Sequence, residues 1–369
     1  MRQGEKPVEG LGRRATIRDV AARADVSIAT VSRVLSGKAS ARSDTYKRVV
    51  AAARDLEYVV NAHARALVGS SRGAVAIVVP EFTASFFAQV CHGVEQQAAV
   101  EGRMCLICST GGDFEREMAM VSLMREQGAE AIIVVGGAVQ GPHYEERMTA
   151  SARALDASGS RLVLCGRPSL GERVPASVVE YDNEGGSYAV TRHLLSAGHE
   201  RILHLSGIPG STVAENRLKG YRQALTDHGV PYDGDLVIHT EFTRRGGTRG
   251  MRRALDAGLD FTAVFAGTDD MAASAMKVLR EAGLRVPEDI SMVGYDDLPV
   301  ASDLHPGLTS VHLPHEELGR TAVRMALHRD GDARDRQHVV LGTHIVTRDS
   351  VRPGPLSAGL GRGAGPAAG

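Results

Sequence analysis

Two spacings in this chain could do metal or redox chemistry. Cys105 and Cys108 form a C-x-x-C, and His312 and His315 form an H-x-x-H. Each pair supplies half of a tetrahedral site, and neither has a second Cys or His pair to complete it. Cys105 and Cys108 therefore read as core of the apolar run 104–108, and no metal site is expected. The chain also lacks the G-x-G-x-x-G and G-K-[ST] loops that cradle phosphates. No catalytic residue and no cofactor are expected. Another chemistry is better supplied. Ser27 can cap a helix running to Leu35, with Val31, Val34 and Leu35 inward and Ile28, Ala29, Ser32 and Arg33 outward. An outward guanidinium can donate two hydrogen bonds to O6 and N7 of a guanine, worth about 1 to 3 kcal/mol of discrimination. Ile28 and Ala29 offer no hydrogen bonds and suit an apolar edge such as a thymine methyl.

The elements that must hold such a helix are legible around it. Ile17, Val20, Ala21 and Ala24 fall at i, i+3, i+4 and i+7, one apolar stripe, and Thr16 with Asp19 makes a capping box at the helix start. A tight turn at Ala24, Asp25 and Val26 joins the two helices. A third helix, capped near Ser43, places Tyr46, Val49, Val50 and Ala53 on one face. Two short helices joined by a tight turn read as a helix-turn-helix. Charge agrees: residues 1–72 hold fourteen Lys and Arg against seven Asp and Glu, or +7, so a whole-chain charge of −1 leaves −8 on the rest. A basic head on an acidic body suggests that only the head meets a polyanion. Residues 61–68 form a short helix-favouring segment before Gly69, Ser70 and Ser71, and eight residues cannot hold a helix alone in water.

From Gly73 the pattern changes to strand runs alternating with helices. The first series has strands near 74–79, 104–108, 131–135 and 162–165. The second has strands near 202–205, 237–238, 263–266 and 290–293, with helices at 215–227 and 270–281. Alternation of this kind means parallel sheets, and two series mean two lobes. Ligands bind outside the carboxyl ends of such strands, so the cleft between lobes is the expected site. The expected architecture is an N-terminal all-α helix-turn-helix domain followed by an α/β two-lobed effector domain with parallel sheets. The boundaries are a disordered extension at 1–14, the DNA-binding domain at 15–60, a hinge and linker at 61–72, the effector and dimerisation domain at 73–352, and a disordered Gly-, Ala- and Pro-rich tail at 353–369. No run is long enough to span a membrane, and the N-terminal residues Glu5, Lys6 and Glu9 do not fit a signal peptide, so a cytoplasmic protein is expected.

The residues also carry a family resemblance. Thr-Ile-Arg-Asp-Val-Ala-Ala-Arg-Ala-Asp-Val-Ser from Thr16, with Thr-Val-Ser-Arg-Val-Leu-Ser ending at Ser36, resembles the lactose and galactose repressor family. The likeness continues through Leu56-Glu57-Tyr58, Ala64-Arg65-Ala66-Leu67, Gly198-His199, Arg217-Leu218-Lys219-Gly220, Asp269-Asp270-Met271-Ala272, Val286-Pro287 and Gly294-Tyr295-Asp296-Asp297. It implies a periplasmic-binding-protein-like effector domain, a dimer, and double-stranded palindromic operator DNA as partner. It implies that Thr16, Ser27 and Ser32 contact phosphates, that Ile28, Ala29 and Arg33 read bases, that Ser36 joins the DNA contacts, and that Leu67 wedges into the minor groove. The chain departs from the family at Asp25, where Gly is common in the turn, and at Val60, where Pro is common before the hinge. Asp tolerates a left-handed conformation, so the turn is expected to survive.

For the body, the resemblance implies that Arg217 and Asp296 grip the effector from the second lobe. The pair suits a vicinal diol, because a guanidinium donates to adjacent hydroxyl oxygens while a carboxylate accepts from their protons. Asp182 resembles another family contact, and Phe86, Phe87 and Phe242 match apolar wall positions. Thr268 stands where many sugar-responsive relatives have Asn. The implied effector is a small sugar or sugar phosphate, and the implied role a repressor of carbohydrate-utilisation genes. A purine-type corepressor-dependent regulator is the nearest alternative, and a sugar-binding protein without a DNA role the next.

Overall fold

The computed structural model describes residues 15–35, 43–58, 73–139, 141–328 and 338–354, and the chain divides into two compact units, 1–72 and 73–369. Ser36, Val60, Leu67 with the rest of the hinge, the extension at 1–14 and residues 355–369 lie outside the described residues.

In the first unit the helices are α1 (Ile17–Ala24), α2 (Ile28–Leu35) and α3 (Asp44–Asp55). The capping box forms at α1: Thr16 Oγ1 accepts from the Asp19 N–H, and the Asp19 carboxylate accepts from the Thr16 N–H at 2.7 Å. Asp25 ends α1 in the left-handed region at φ 49°, ψ 57°, where its N–H reaches the Ala21 and Ala22 carbonyls. Asp thus serves where a glycine would be the easier residue. Val20, Val31 and Val49 are fully buried and form the centre of a small core with Ala21, Ala24, Val34 and Ala52. Each such valine contributes about 1.5 kcal/mol or more by leaving water. One sequence expectation is corrected here. Val50 is 41% exposed and Ala52 is buried instead, on the face that α3 turns to α1 and α2.

The second unit holds two six-stranded sheets. The first lobe begins with β1 (Val75–Val79), β2 (Cys105–Ser109), β3 (Ala131–Val135), β4 (Arg161–Cys165) and β5 (Ala176–Tyr181). The second has β6 (Ile202–Ser206), β7 (Val237–His239), β8 (Ala263–Ala266), β9 (Ser291–Asp296) and β10 (Thr309–His312). The chain then returns: β11 (His338–Leu341) joins the first sheet, and β12 (His344–Val346) joins the second. The orders are β11-β5-β4-β3-β1-β2 and β12-β10-β9-β8-β6-β7, and every pairing is parallel except β10 with β12. Strands β1, β3 and β6 are buried on both faces, as expected of sheets covered by helices on both sides. The chain passes between lobes near residues 182, 313 and 342, so the lobes are tied by three strands of backbone. The folded body reaches two residues past the expected boundary at 352, since the Gly354 N–H donates to the Ala197 carbonyl at 2.6 Å.

Candidate functional site

On α2 the inward and outward faces separate as the spacing predicts. Val31 and Val34 are buried, Ile28 is 45% exposed, Ala29 and Arg33 are exposed, and Ser32 is half-buried. An isoleucine this exposed on a short helix is an apolar group with no core to serve. The hydroxyls of Thr16 and Ser27 are engaged within the unit. Thr16 Oγ1 donates to the Asp19 carboxylate at 2.7 Å, and Ser27 Oγ accepts from the Thr30 N–H at 3.1 Å and meets Thr30 Oγ1 at 2.9 Å. These bonds fix the starts of α1 and α2, whose leading N–H groups are the donors a phosphate would meet.

In the body a cleft opens between the carboxyl ends of the strands of the two lobes. It holds about 580 Å³ of empty space and is lined by Phe86, Phe87, Tyr181, Arg217, Phe242, Thr268, Asp270 and Asp296 among others. Arg217 projects from the helix Thr212–Asp227 and is 2% exposed. Its guanidinium lies over the Tyr295 ring at 3.7 Å and faces Phe242 at 5.5 Å. Nε donates to Asn183 Oδ1 at 2.9 Å, Nη1 to the Gly267 carbonyl, and Nη2 to Asp296 Oδ1 at 3.3 Å. Those bonds use three of the five N–H donors that a guanidinium offers.

Asp296 ends β9, is 3% exposed, and sits at φ 106°, outside the region a residue with a Cβ prefers. Such a conformation costs on the order of 1 to 3 kcal/mol and persists only where the surroundings impose it. Burial pushes the Asp296 carboxyl up to about 7, an effect that Arg217 opposes and Asp270 reinforces. Beneath it Asp269 is fully buried, accepts from Ser310 Oγ at 2.6 Å and from the Leu298 N–H at 2.7 Å, and is also raised by burial and by Asp296.

Walls and floor depend on small residues. A Cβ on Gly267 would lie 2.5 Å from the Phe242 ring and 2.9 Å from the Leu205 carbonyl, so only glycine lets that ring close the cleft. Phe86 meets Phe87, Tyr181 and His315 edge to face, with centroids 5.0, 6.1 and 5.2 Å apart. Thr268 lines the cleft and caps the helix Asp269–Glu281 by accepting from the Met271 N–H.

One expected contact falls elsewhere. Asp182 is exposed, caps the helix Asn183–Ser196 by accepting from the Gly185 N–H at 2.7 Å, and is not among the residues lining the cleft. Its Oδ1 holds the helix end, and the buried neighbour Asn183 reaches Arg217. Asn183, Tyr181 and Tyr295 were not singled out from sequence. The Tyr-Asp-Asn run was the available signal, but side-chain polarity alone did not say which of its members turns inward.

The two metal-like spacings do not converge. Cys105 and Cys108 pack into clusters on opposite faces of β2, and burial raises both thiols, Cys105 to about 11. His312 pairs with Asp297 at 3.0 Å while His315 is buried against Phe86, and among the described residues no group of three or more His, Cys, Asp or Glu could hold a metal ion. Among the described residues no helix is long and apolar enough to cross a membrane.

Comparison with known proteins agrees with this geometry. Residues 16–61 match the family described as bacterial regulatory proteins, lacI family, and residues 191–351 match the periplasmic binding protein-like domain. The chain is 35% identical over 351 residues to the HTH-type transcriptional regulator CelR of Thermobifida fusca, covering 92% of this chain and 98% of that one. The solved complex of transcriptional regulator CelR with cellobiose matches at 32% identity and a TM-score of 0.66, covering 91% of this chain and all of that one. The Lac repressor dimer bound to operator and an anti-inducer shares the fold at 24% identity and a TM-score of 0.78, covering 92% of this chain and all of that one. The chain therefore belongs to the LacI family of DNA-binding transcription regulators that respond to an effector.

Proposed function

We propose that this regulator is a cytoplasmic homodimer, without enzymatic activity, that binds a palindromic operator through α2 and whose affinity for it is changed by a carbohydrate in the cleft. The observation that carries the reading is the placing of the Arg217 guanidinium over the Tyr295 ring and beside the Asp296 carboxyl, with Arg217 and Asp296 both lining an aromatic-walled cleft. Donors and an acceptor side by side match adjacent hydroxyls, and the flat walls of Phe86 and Phe242 match the apolar face of a sugar ring. The complex of the relative CelR with cellobiose supports the same class of ligand.

On the DNA side Ile28, Ala29 and Arg33 read bases, Ser32, Ser36 and the capped helix starts at Thr16 and Ser27 meet phosphates, and Leu67 enters the minor groove at the operator centre. Two copies are needed to read two half-sites about one helical turn apart. The edge strand β2 supports association, because Ile107 on it is 51% exposed, Met104 just before it 66%, and Val100 nearby 80%.

The test is operator binding by the purified protein during titration with a sugar panel that includes cellobiose and with a purine such as guanine. A sugar that shifts operator affinity supports the reading, a response to the purine alone favours a corepressor mechanism, and no preference for the operator over random duplex overturns both.

A further inference from the structure

The effector reading leaves unused a buried ion pair in the first lobe and a set of bonds that joins the lobes beside the cleft. Arg167 and Glu117 are 2% and 6% exposed and meet through two parallel hydrogen bonds of 2.8 and 2.7 Å. Such a fork holds both side chains in one orientation. Arg167 Nε also donates to the Gly136 carbonyl at 2.7 Å, which pins the segment that leaves β3. That segment then meets the second lobe. The Thr212 N–H donates to the Ala138 carbonyl at 2.9 Å, the Ala138 N–H donates to Thr212 Oγ1 at 3.2 Å, and Val139 bridges to Ser211. Approach is close enough that a Cβ on Gly137 would lie 3.0 Å from Val213 and 3.4 Å from the Ser211 and Thr212 hydroxyl oxygens. Thr212 opens the helix that carries Arg217, so whatever holds Thr212 to the first lobe also places the ligand-facing guanidinium.

We propose that Thr212 is a positioning residue that latches the effector cleft: its paired bonds to Ala138, on a segment anchored by Arg167 and Glu117, set how far the two lobes are closed before any ligand arrives. The inference rests on the reading of this cleft as the effector site. Its physical basis is that Ala138 is buried, so its N–H has no water to turn to when the Thr212 hydroxyl is lost. A body already closed needs less of the ligand's interaction energy to order it.

Thr212→Val keeps the shape and removes the acceptor, while Thr212→Ser keeps the acceptor. Amide hydrogen exchange on the ligand-free full-length protein, followed by cellobiose titration, separates the cases. In Thr212→Val, exchange at 136–139, at 211–214 and at the cleft segment 267–270 should quicken together by about 5-fold or more, with β1 and β6 unchanged. Its affinity for cellobiose should fall roughly 5- to 150-fold, and Thr212→Ser should match the wild type. Unchanged exchange at 136–139 in Thr212→Val overturns the latch, and so does quickened exchange confined to that segment with cellobiose affinity intact. Should the wild type answer to no carbohydrate while the three segments still loosen together, the latch stands as a property of the cleft and the carbohydrate reading falls alone.

Discussion

In the DNA-reading unit the side chains assigned to function stand outward, with Ile28 45% exposed and Ala29 and Arg33 exposed, whereas in the body Arg217 and Asp296 are 2% and 3% exposed. The outward groups can be changed without disturbing the three-helix core beneath them, because Val20, Val31 and Val49 hold that core from the other side. The inward groups are part of what holds their own lobe together. Arg217 reaches an asparagine, a backbone carbonyl and a carboxylate on three different segments, so altering it alters packing as well as recognition. A groove reader can afford exposed chemistry since the duplex supplies the missing surface, while a small ligand must be met by groups already stripped of water.

The largest expected effect tests that contrast at its stronger end. Arg217→Ala leaves the Asp296 carboxyl, the Asn183 amide and the Gly267 carbonyl buried without their partner. Removing one member of a buried charge pair typically costs about 3 to 5 kcal/mol. Thermal unfolding should show the body destabilised by that order, and effector response should vanish, while the separate DNA-reading unit keeps its operator preference wherever the body stays folded. An Arg217→Ala protein as stable as wild type would remove the claim that recognition and packing share this side chain.

Next in size is Arg33→Ala at the exposed end. The loss of a two-bond contact to guanine should lower specific operator affinity by about 1 to 3 kcal/mol and leave binding to random duplex much less affected. Stability should hardly move, since an exposed substitution away from caps and core usually stays within about 0.5 kcal/mol. Equal losses on specific and random duplex, measured at one salt concentration, would reduce Arg33 to a phosphate contact.

The same contrast explains what could be read from the chain alone. In the helix-turn-helix the residues from Thr16 to Arg33 lie within twenty positions of each other, so helical spacing shows the faces of α2, the capping box at Thr16 and the left-handed turn at Asp25. Only the phase of α3 slipped, at Val50. In the body Asn183, Arg217, Gly267 and Asp296 come from four segments, and no local pattern says that they converge. The edge strands β11 and β12 are three or four residues long and have no buried residue, unlike β1 or β3. Asp182 shows a related limit: its Oδ1 accepts from the Gly185 N–H at a helix start, and the balance between local and long-range bonding of such a carboxylate is not decided by sequence.

The smallest expected effect is a pH dependence confined to the buried site. Asp296 is raised to about 7 by burial, against the pull of Arg217 and with the push of Asp270, while Asp269 below it is raised as well. An acid whose folded value exceeds its unfolded one is protonated more readily in the fold, so its contribution to stability declines as pH rises from about 4 to about 7 and is level above that. A hydroxyl that donates to the ionised carboxylate favours the anion. Effector binding should therefore release a proton below about pH 7, and affinity should weaken by up to tenfold per pH unit for one linked proton as the solution is made more acid. Calorimetric titration with the effector between pH 6 and 8.5 in buffers of different ionisation enthalpy measures both the slope and the proton count. Asp296→Asn cannot ionise and should flatten the profile; if it keeps the wild-type slope, the proton belongs to Asp269 or to another buried group. Base reading by Arg33 does not involve the Asp296 carboxyl, so operator binding without effector should show no matching inflection near pH 7.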